Sequence, residues 1–276
     1  KSKIATLFEG GAADDVAGAE GAEDTLSVKD VSRTVLRLWL HEQCRVIYDR
    51  LIDTCDQTWF SNLCEEVTKK NFPTMNCFDE MVDATGQPRQ KSTPQEYVES
   101  IMFASLTGAD DDPDYREHAA ATEGDVNHLS DELTAQLEEF KEMGAGGGGE
   151  GGGGEGPTVV DLVFFRDAVS HVARLTRVLL QPSGNALLVG VGGSGRKSLS
   201  RLAAYMSGSS IRSIEVTSQY GMVEWREDVK NHLMAAGLER RPVVFMLDDT
   251  QVVLESFLED VNSILTSGEV LNIYEV

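Results

Sequence analysis

The feature that most constrains this chain is a glycine-rich segment between an apolar run and a helical pattern. Residues Ala186 to Val189 are apolar, which predicts a short buried strand. Four glycines follow within the six residues from Gly190 to Gly195, and a helical pattern begins at Ser198. Backbone N–H groups at such a turn can close on a phosphate, and the helix N-terminus adds partial positive charge. This segment therefore predicts a nucleotide-binding site.

Two nucleotide-binding motifs overlap here. Gly190-x-x-x-x-Gly195 followed by a cation is typical of a P-loop, although Arg196 stands at the usual Lys position and Lys197 at the usual Ser/Thr position. Gly190-x-Gly192-x-x-Gly195 also fits the dinucleotide pattern, with Glu215 placed where an acid would bind a ribose. The predicted nucleotide-binding residues are Gly190, Val191, Gly192, Gly193, Ser194, Gly195, Arg196, Lys197 and Ser198.

An acidic strand favours the P-loop over the dinucleotide site. Residues 243–247 are apolar and lead into Asp248 and Asp249. A strand that ends in two carboxylates can hold Mg²⁺ and orient a water opposite a triphosphate, whereas hydride transfer has no use for it. We predict Asp248 as the metal-side carboxylate, Asp249 as a candidate catalytic group, and ATP or ADP with Mg²⁺ as the cofactors.

Composition excludes several classes of partner. The net charge is −22 and the pI about 4.5, which argues against nucleic-acid binding. The sequence has no basic stripe that would neutralise nucleic-acid phosphates. No run approaches 18 apolar residues, so no membrane span is predicted. The four cysteines form no CxxC pair, which is typical of free thiols in a reducing compartment and predicts a cytoplasmic protein.

The chain divides into four regions. Residues 1–28 form an acidic, glycine-rich loop, and residues 29–130 carry helical patterns, including a helix over 94–106, without an alternating strand pattern. Residues 131–160 hold a charged helix and a linker with ten glycines among the 13 residues 144–156. From 161 to 276, strands and helices alternate, which predicts an αβα sandwich with a parallel sheet. The fold class is therefore α/β, preceded by an all-helical domain.

With these residues in place, the chain resembles the AAA+ modules of axonemal dynein heavy chains. Gly184 to Arg196 is similar to the P-loop of the fourth module, and so are Glu224-Trp-Arg-Glu-Asp228 and Ser256-Phe-Leu-Glu-Asp260 further on. Leu38-Trp-Leu-His-Glu42 is similar to the helical lid of the third module. The resemblance covers about residues 29–143 and 157–276, so 29–130 would be a lid and 161–276 an incomplete AAA+ core.

This resemblance implies part of a motor, namely a ring of AAA+ modules that hydrolyses ATP and moves along microtubules in cilia or flagella. The implied partners are the other AAA+ modules, dynein intermediate and light chains, and microtubules through parts outside this segment. The implied location is the cytoskeleton of the axoneme. The fragment would lack the principal hydrolytic site and the microtubule-binding stalk.

Departures from the motif predict weak hydrolysis. Arg196 keeps the charge of the usual lysine but presents a planar fork on a longer arm. Lys197 replaces the hydroxyl that binds Mg²⁺, and Asp249 replaces a longer Glu. A one-residue slip would instead give Lys197 and Ser198 the usual roles. We expect this site to hold ADP or slowly exchanged ATP and to hydrolyse it weakly or not at all. The candidate catalytic residues are Asp249 and Arg196. The expected role of the module is regulatory or structural. The alternatives are a structural AAA+ segment without nucleotide and an NAD-linked oxidoreductase.

Overall fold

The computed structural model describes residues 28–73, 78, 93–106, 115–119, 123–146, 162–238 and 242–274. The predicted acidic loop lies outside the described residues except for residue 28. Most of the glycine-rich linker also lies outside them.

The first part of the chain is mainly helical. Its elements are α1 (Val28–Val46), a 3₁₀ turn (Tyr48–Arg50), α2 (Thr54–Asn71), α3 (Pro94–Ser100), β1 (Ile101–Ala104) and β2 (Arg116–Ala119). Thr93 and Glu96 form a capping box that starts α3. A shared apolar core holds α1, α2, α3 and β1 together.

Strands β1 and β2 correct the prediction of an entirely helical region. They pair antiparallel, with Ile101 opposite Ala119 and Ala104 opposite Arg116. The predicted helix over 94–106 ends at Ser100, since Ile101 turns to an extended conformation. The apolar run 101–106 fits a buried strand as well as a helix, and only the distant partner strand decides between them.

Three helices share a second buried core: α4 (Glu123–Gly146), α5 (Arg166–Leu179) and α6 (Arg196–Met206). Their common core includes Leu133, Val172 and Leu202, which are fully buried. The rings of Phe140 and Tyr205 lie 5.0 Å apart and join α4 to α6. Helix α4 is longer than the predicted charged helix, because its buried face continues back to Leu129.

The last part of the chain alternates strands and helices. Its elements are β3 (Ser210–Ser213), α7 (Met222–Leu238), β4 (Val243–Met246), a 3₁₀ turn (Asp249–Gln251) and α8 (Ser256–Ser267). Strands β3 and β4 pair in parallel, with Ser210 opposite Val243 and Ser213 opposite Met246. Trp225 of α7 is fully buried and stacks on Phe257 of α8 at 4.5 Å, which closes this core.

The predicted buried strand before the glycine-rich turn is wrong. Residues 184–191 have no assigned strand, and Leu187 and Val189 are 92% and 87% exposed. A strand needs a neighbour for its backbone hydrogen bonds, and β3 pairs only with β4 among the described residues. In the described part of the chain, no helix is long and apolar enough to span a bilayer.

Candidate nucleotide site

Gly193 and Gly195 give the glycine-rich turn its shape. Their φ angles are +77° and +76°, in the left-handed region that destabilises residues with a Cβ by about 1–2 kcal/mol. Gly195 is the N-cap of α6, whose helical hydrogen bonds begin with Leu199 N–H donating to the Gly195 carbonyl. Residues 190–194 are exposed, and first-turn N–H groups of a helix lack intrahelical acceptors. The turn therefore presents donors that an anion can reach.

Arg196 lies over the turn. Its Nη2 donates to the Val191 carbonyl at 3.2 Å, and its Nη1 donates to the Leu188 carbonyl at 3.5 Å. A Cβ placed on Gly190 would come within 3.5 Å of the Arg196 Cδ, so Gly190 leaves room for this side chain. Guanidinium has five N–H donors, which leaves some for an anion beside the turn.

Lys197 and Asp248 make the central contact of the site. The Lys197 ammonium forms an ion pair with the Asp248 carboxylate and so joins the first turn of α6 to the end of β4. The Lys197 side chain is 65% exposed, whereas that of Asp248 is 16% exposed. An ammonium has three donors, so Lys197 can contact a second anion while it holds Asp248.

The 3₁₀ turn after β4 fixes the Asp248 carboxylate. Thr250 N–H donates to Asp248 Oδ1 at 3.3 Å, and Asp248 N–H donates to Gln251 Oε1 at 2.8 Å, which is a reciprocal capping box. Gln251 Nε2 also donates to the Ile214 carbonyl at 2.7 Å. Gln251 therefore ties the backbone that carries Asp248 to the end of β3, and Thr250 N–H holds the carboxylate itself.

Asp248 stays ionised near neutral pH. Hydrogen bonding with Asp249 is the largest cause that holds the pKa of Asp248 well below its usual range, and the Lys197 ammonium and the Thr250 N–H lower it further. Asp249 is exposed beside it, and its Oδ1 accepts from Thr250 N–H at 3.1 Å. The carboxylates of Asp248 and Asp249, which are adjacent in sequence, thus lie together just after β4.

These side chains fit a bound Mg²⁺ poorly. The ion takes oxygen ligands, but the Asp248 carboxylate already contacts the Lys197 ammonium and the Thr250 N–H. An ammonium donates hydrogen bonds and cannot ligate a cation. Because Gly195 is the N-cap, Arg196 is first and Lys197 second in α6, so the one-residue slip is not adopted. The metal role of Asp248 stays a prediction.

Sequence reasoning missed the Lys197–Asp248 pair and the role of Gln251. The pair joins two distant parts of the chain, and no local pattern indicates it. The Asp248-x-x-Gln251 spacing is that of a capping box and would have identified Gln251. Glu215, the acid of the dinucleotide motif, is exposed just after β3.

A glycine-rich turn that opens a helix beside the acidic end of a parallel strand defines a P-loop nucleotide-binding protein. Residues 160–276 match the family model described as P-loop containing dynein motor region D4, and residues 24–84 match an AAA+ lid domain. The chain belongs to the axonemal dynein heavy chain family. This membership favours the P-loop over the dinucleotide interpretation and confirms the predicted fold class, a P-loop AAA+ core preceded by a lid.

Several curated proteins are similar to most of this chain. It is 41% identical over 242 residues to "Dynein-1-beta heavy chain, flagellar inner arm I1 complex" of Chlamydomonas reinhardtii, 87% of this chain and 5% of that protein. Identity to "Dynein axonemal heavy chain 1" of Mus musculus is 37% over 240 residues, again 87% and 5%. Identity to "Dynein axonemal heavy chain 5" of Rattus norvegicus is 35% over 252 residues, 90% and 7%. The chain spans about a twentieth of the length of these relatives.

Proposed function

We propose that this chain is part of the AAA+ ring of an axonemal dynein, whose whole motor moves along microtubules by ATP hydrolysis in cilia or flagella. The match of residues 160–276 to a dynein motor region and the axonemal names of the relatives support this. Other AAA+ modules of the heavy chain would be its immediate partners. Microtubules would contact parts outside this segment, and intermediate and light chains would complete an assembly located in the axonemal cytoskeleton.

Within that ring, we propose that residues 190–198 bind ATP or ADP. The observation that carries this proposal is the exposed turn with two left-handed glycines at the N-terminus of an 11-residue helix. Two cations, Arg196 and Lys197, follow the turn directly. Amide donors, a helix N-terminus and positive charge at one place suit a polyphosphate.

Hydrolysis at this site would be weak or absent, which favours a regulatory or structural role. Phosphoryl transfer depends on placing positive charge and a water with care. Here the Arg196 guanidinium donates hydrogen bonds to carbonyls of its own loop, and the Lys197 ammonium forms an ion pair with Asp248. Asp249, the candidate for polarising water, already accepts a hydrogen bond from Thr250. Nucleotide held without turnover would tune how the ring transmits strain from other ATPase sites.

One observation favours a second candidate, a structural AAA+ segment that binds no nucleotide. The Arg196 guanidinium is held within the loop by hydrogen bonds to the carbonyls of Leu188 and Val191 and not directed at an anion. If those bonds persist, the segment would serve ring assembly alone.

Nucleotide retention by the whole motor separates the two candidates. The variant Gly195→Val places a β-branched side chain at a φ of +76°, which should distort the turn. Gly237→Val is the control, since a Cβ at Gly237 meets no atom within 4 Å. After desalting and denaturation, the parent and the control should release about one more nucleotide per heavy chain than Gly195→Val. Equal amounts would support the structural candidate. Rapid ATP turnover by this module's own site would contradict the regulatory role.

A further inference from the structure

The poor fit of this site to a bound Mg²⁺ is due mainly to one side chain, Lys197. Lys197 stands second in α6, where its ammonium meets the Asp248 carboxylate. That carboxylate is the oxygen group at the end of β4 that the sequence assigns to a metal. A fixed cation from the protein therefore occupies the position beside Asp248 at which a divalent cation is expected.

The surroundings of Lys197 leave it able to contact a phosphate as well. Its side chain is 65% exposed, and three N–H donors leave two for another anion after Asp248 is satisfied. The Asp248 carboxylate is held away from a metal by the Lys197 ammonium and the Thr250 N–H, while Gln251 fixes the Asp248 backbone. The ammonium thus contacts an anchored carboxylate, and its residue lies in the first turn of the helix that the glycine-rich segment starts.

We propose that the Lys197 ammonium, held by Asp248, replaces the divalent cation of this nucleotide site, so that the module binds ADP or ATP without a metal. This inference rests on the proposed nucleotide binding, and it assigns the neutralisation of the phosphates to the Lys197 ammonium. Nucleotide binding at this module is consequently insensitive to chelation of divalent ions. Replacement of the metal would also account for the weak hydrolysis proposed above. A tethered ammonium cannot do what a metal ion does in positioning and activating groups for hydrolysis.

The test uses 8-azido-ADP on the whole motor, with photolabelled peptides mapped by mass spectrometry so that other modules do not contribute. Labelling of peptides from this module is compared in Mg²⁺ and in excess EDTA. For the parent, the two conditions should agree within about twofold. The variant Lys197→Thr supplies a hydroxyl in place of the ammonium, and its labelling should fall about tenfold in EDTA relative to Mg²⁺.

Two further variants make the result specific. Lys197→Met removes the charge and supplies no oxygen, so its labelling should fall about tenfold in both conditions. Lys230→Thr makes the Lys→Thr exchange on α7, outside the site, and should behave as the parent. A tenfold loss of parent labelling in EDTA would overturn the replacement of the metal while leaving nucleotide binding intact. Absence of label from this module in every condition would overturn the proposed nucleotide binding itself, and this inference with it.

Discussion

The backbone at positions 193 and 195 has positive φ angles, which favour glycine. The helix that begins after Gly195 then determines where Arg196 and Lys197 lie. Because Gly195 is the N-cap, Arg196 faces the loop and Lys197 reaches Asp248. If the helix began one residue earlier or later in the sequence, the positions of both cations would rotate by about 100° around α6. The identity of the site therefore depends on backbone conformation as much as on side-chain charge.

Replacing Gly195 by alanine should destabilise this chain. The new Cβ meets only Leu162 Cδ2 at 3.8 Å, an ordinary contact, so the penalty comes from the φ of +76°. We expect the free energy of unfolding to fall by about 1–2 kcal/mol, measured by urea denaturation. Gly192→Ala is the matched control, since its φ is not in the left-handed region and its Cβ meets nothing within 4 Å. An equal loss in both variants would show that backbone strain is not the cause.

Among the elements, the local pattern predicted most helices and the acidic strand β4, but it failed where a strand depends on a distant partner. Helix α6 and the capped start of α3 have clear signals in glycine, Thr93 and Glu96. Strand β1 could not be predicted, because an apolar run such as 101–106 becomes a strand only when β2 pairs with it. Residues 186–189 show the reverse, since a strand-like sequence without a paired neighbour among the described residues has no assigned strand and is exposed. The Lys197–Asp248 pair depends on the parallel sheet that sets β4 beside α6, which no local pattern encodes.

His41 connects α1 to β1 through a buried ring. It is 2% exposed, and its Nδ1–H donates to the Ile101 carbonyl at 3.1 Å. Burial lowers the pKa of His41 to about 4, because the apolar surroundings disfavour the imidazolium. The neutral ring therefore stabilises the contact between these two elements.

The stability of this contact should depend on pH. The pKa of His41 is about 4 in the folded chain and about 6.5 when unfolded, so its contribution is complete above pH 6.5 and is lost as pH falls toward 4. Between pH 7 and pH 5, His41 should lower the free energy of unfolding by about 2 kcal/mol. Urea denaturation of the parent and of His41→Gln at both pH values isolates this change. If both proteins lose the same stability, the ring is not the titrating group.

At the scale of the whole molecule, the lid-like part and the P-loop part share a core and a polar contact. Ala104 and Leu106 enter the core formed by α4, α5 and α6. Beside it, the Arg177 guanidinium of α5 pairs with the Glu42 carboxylate of α1, which also accepts from the Tyr115 hydroxyl at 2.9 Å. Burial raises the pKa of Glu42, but the hydrogen bonds from Arg177 and Tyr115 outweigh it and lower the pKa overall. The two parts are thus joined next to the helix that precedes the glycine-rich turn.

Glu42→Gln should loosen this junction. The amide keeps the shape but removes the charge that pairs with Arg177, so we expect a loss of about 1–2 kcal/mol in the free energy of unfolding. Hydrogen exchange should become faster in α1 and α5 together. Glu65→Gln is the control, because its pair with Lys69 is on the surface and should contribute less than about 0.5 kcal/mol. A similar loss in both variants would show that the junction adds nothing specific.

The backbone amides of residues 190–195 are proposed to hold a polyphosphate beside Lys197 and Asp248. A cryo-electron microscopy map of the whole motor with ADP, sharp enough to place side chains, tests this claim most directly. It should show phosphate density within hydrogen-bond distance of the amides after Gly192 and of the Lys197 ammonium. A turn packed against protein, with no room for an anion and with Lys197 turned away from Asp248, would contradict polyphosphate binding at this site.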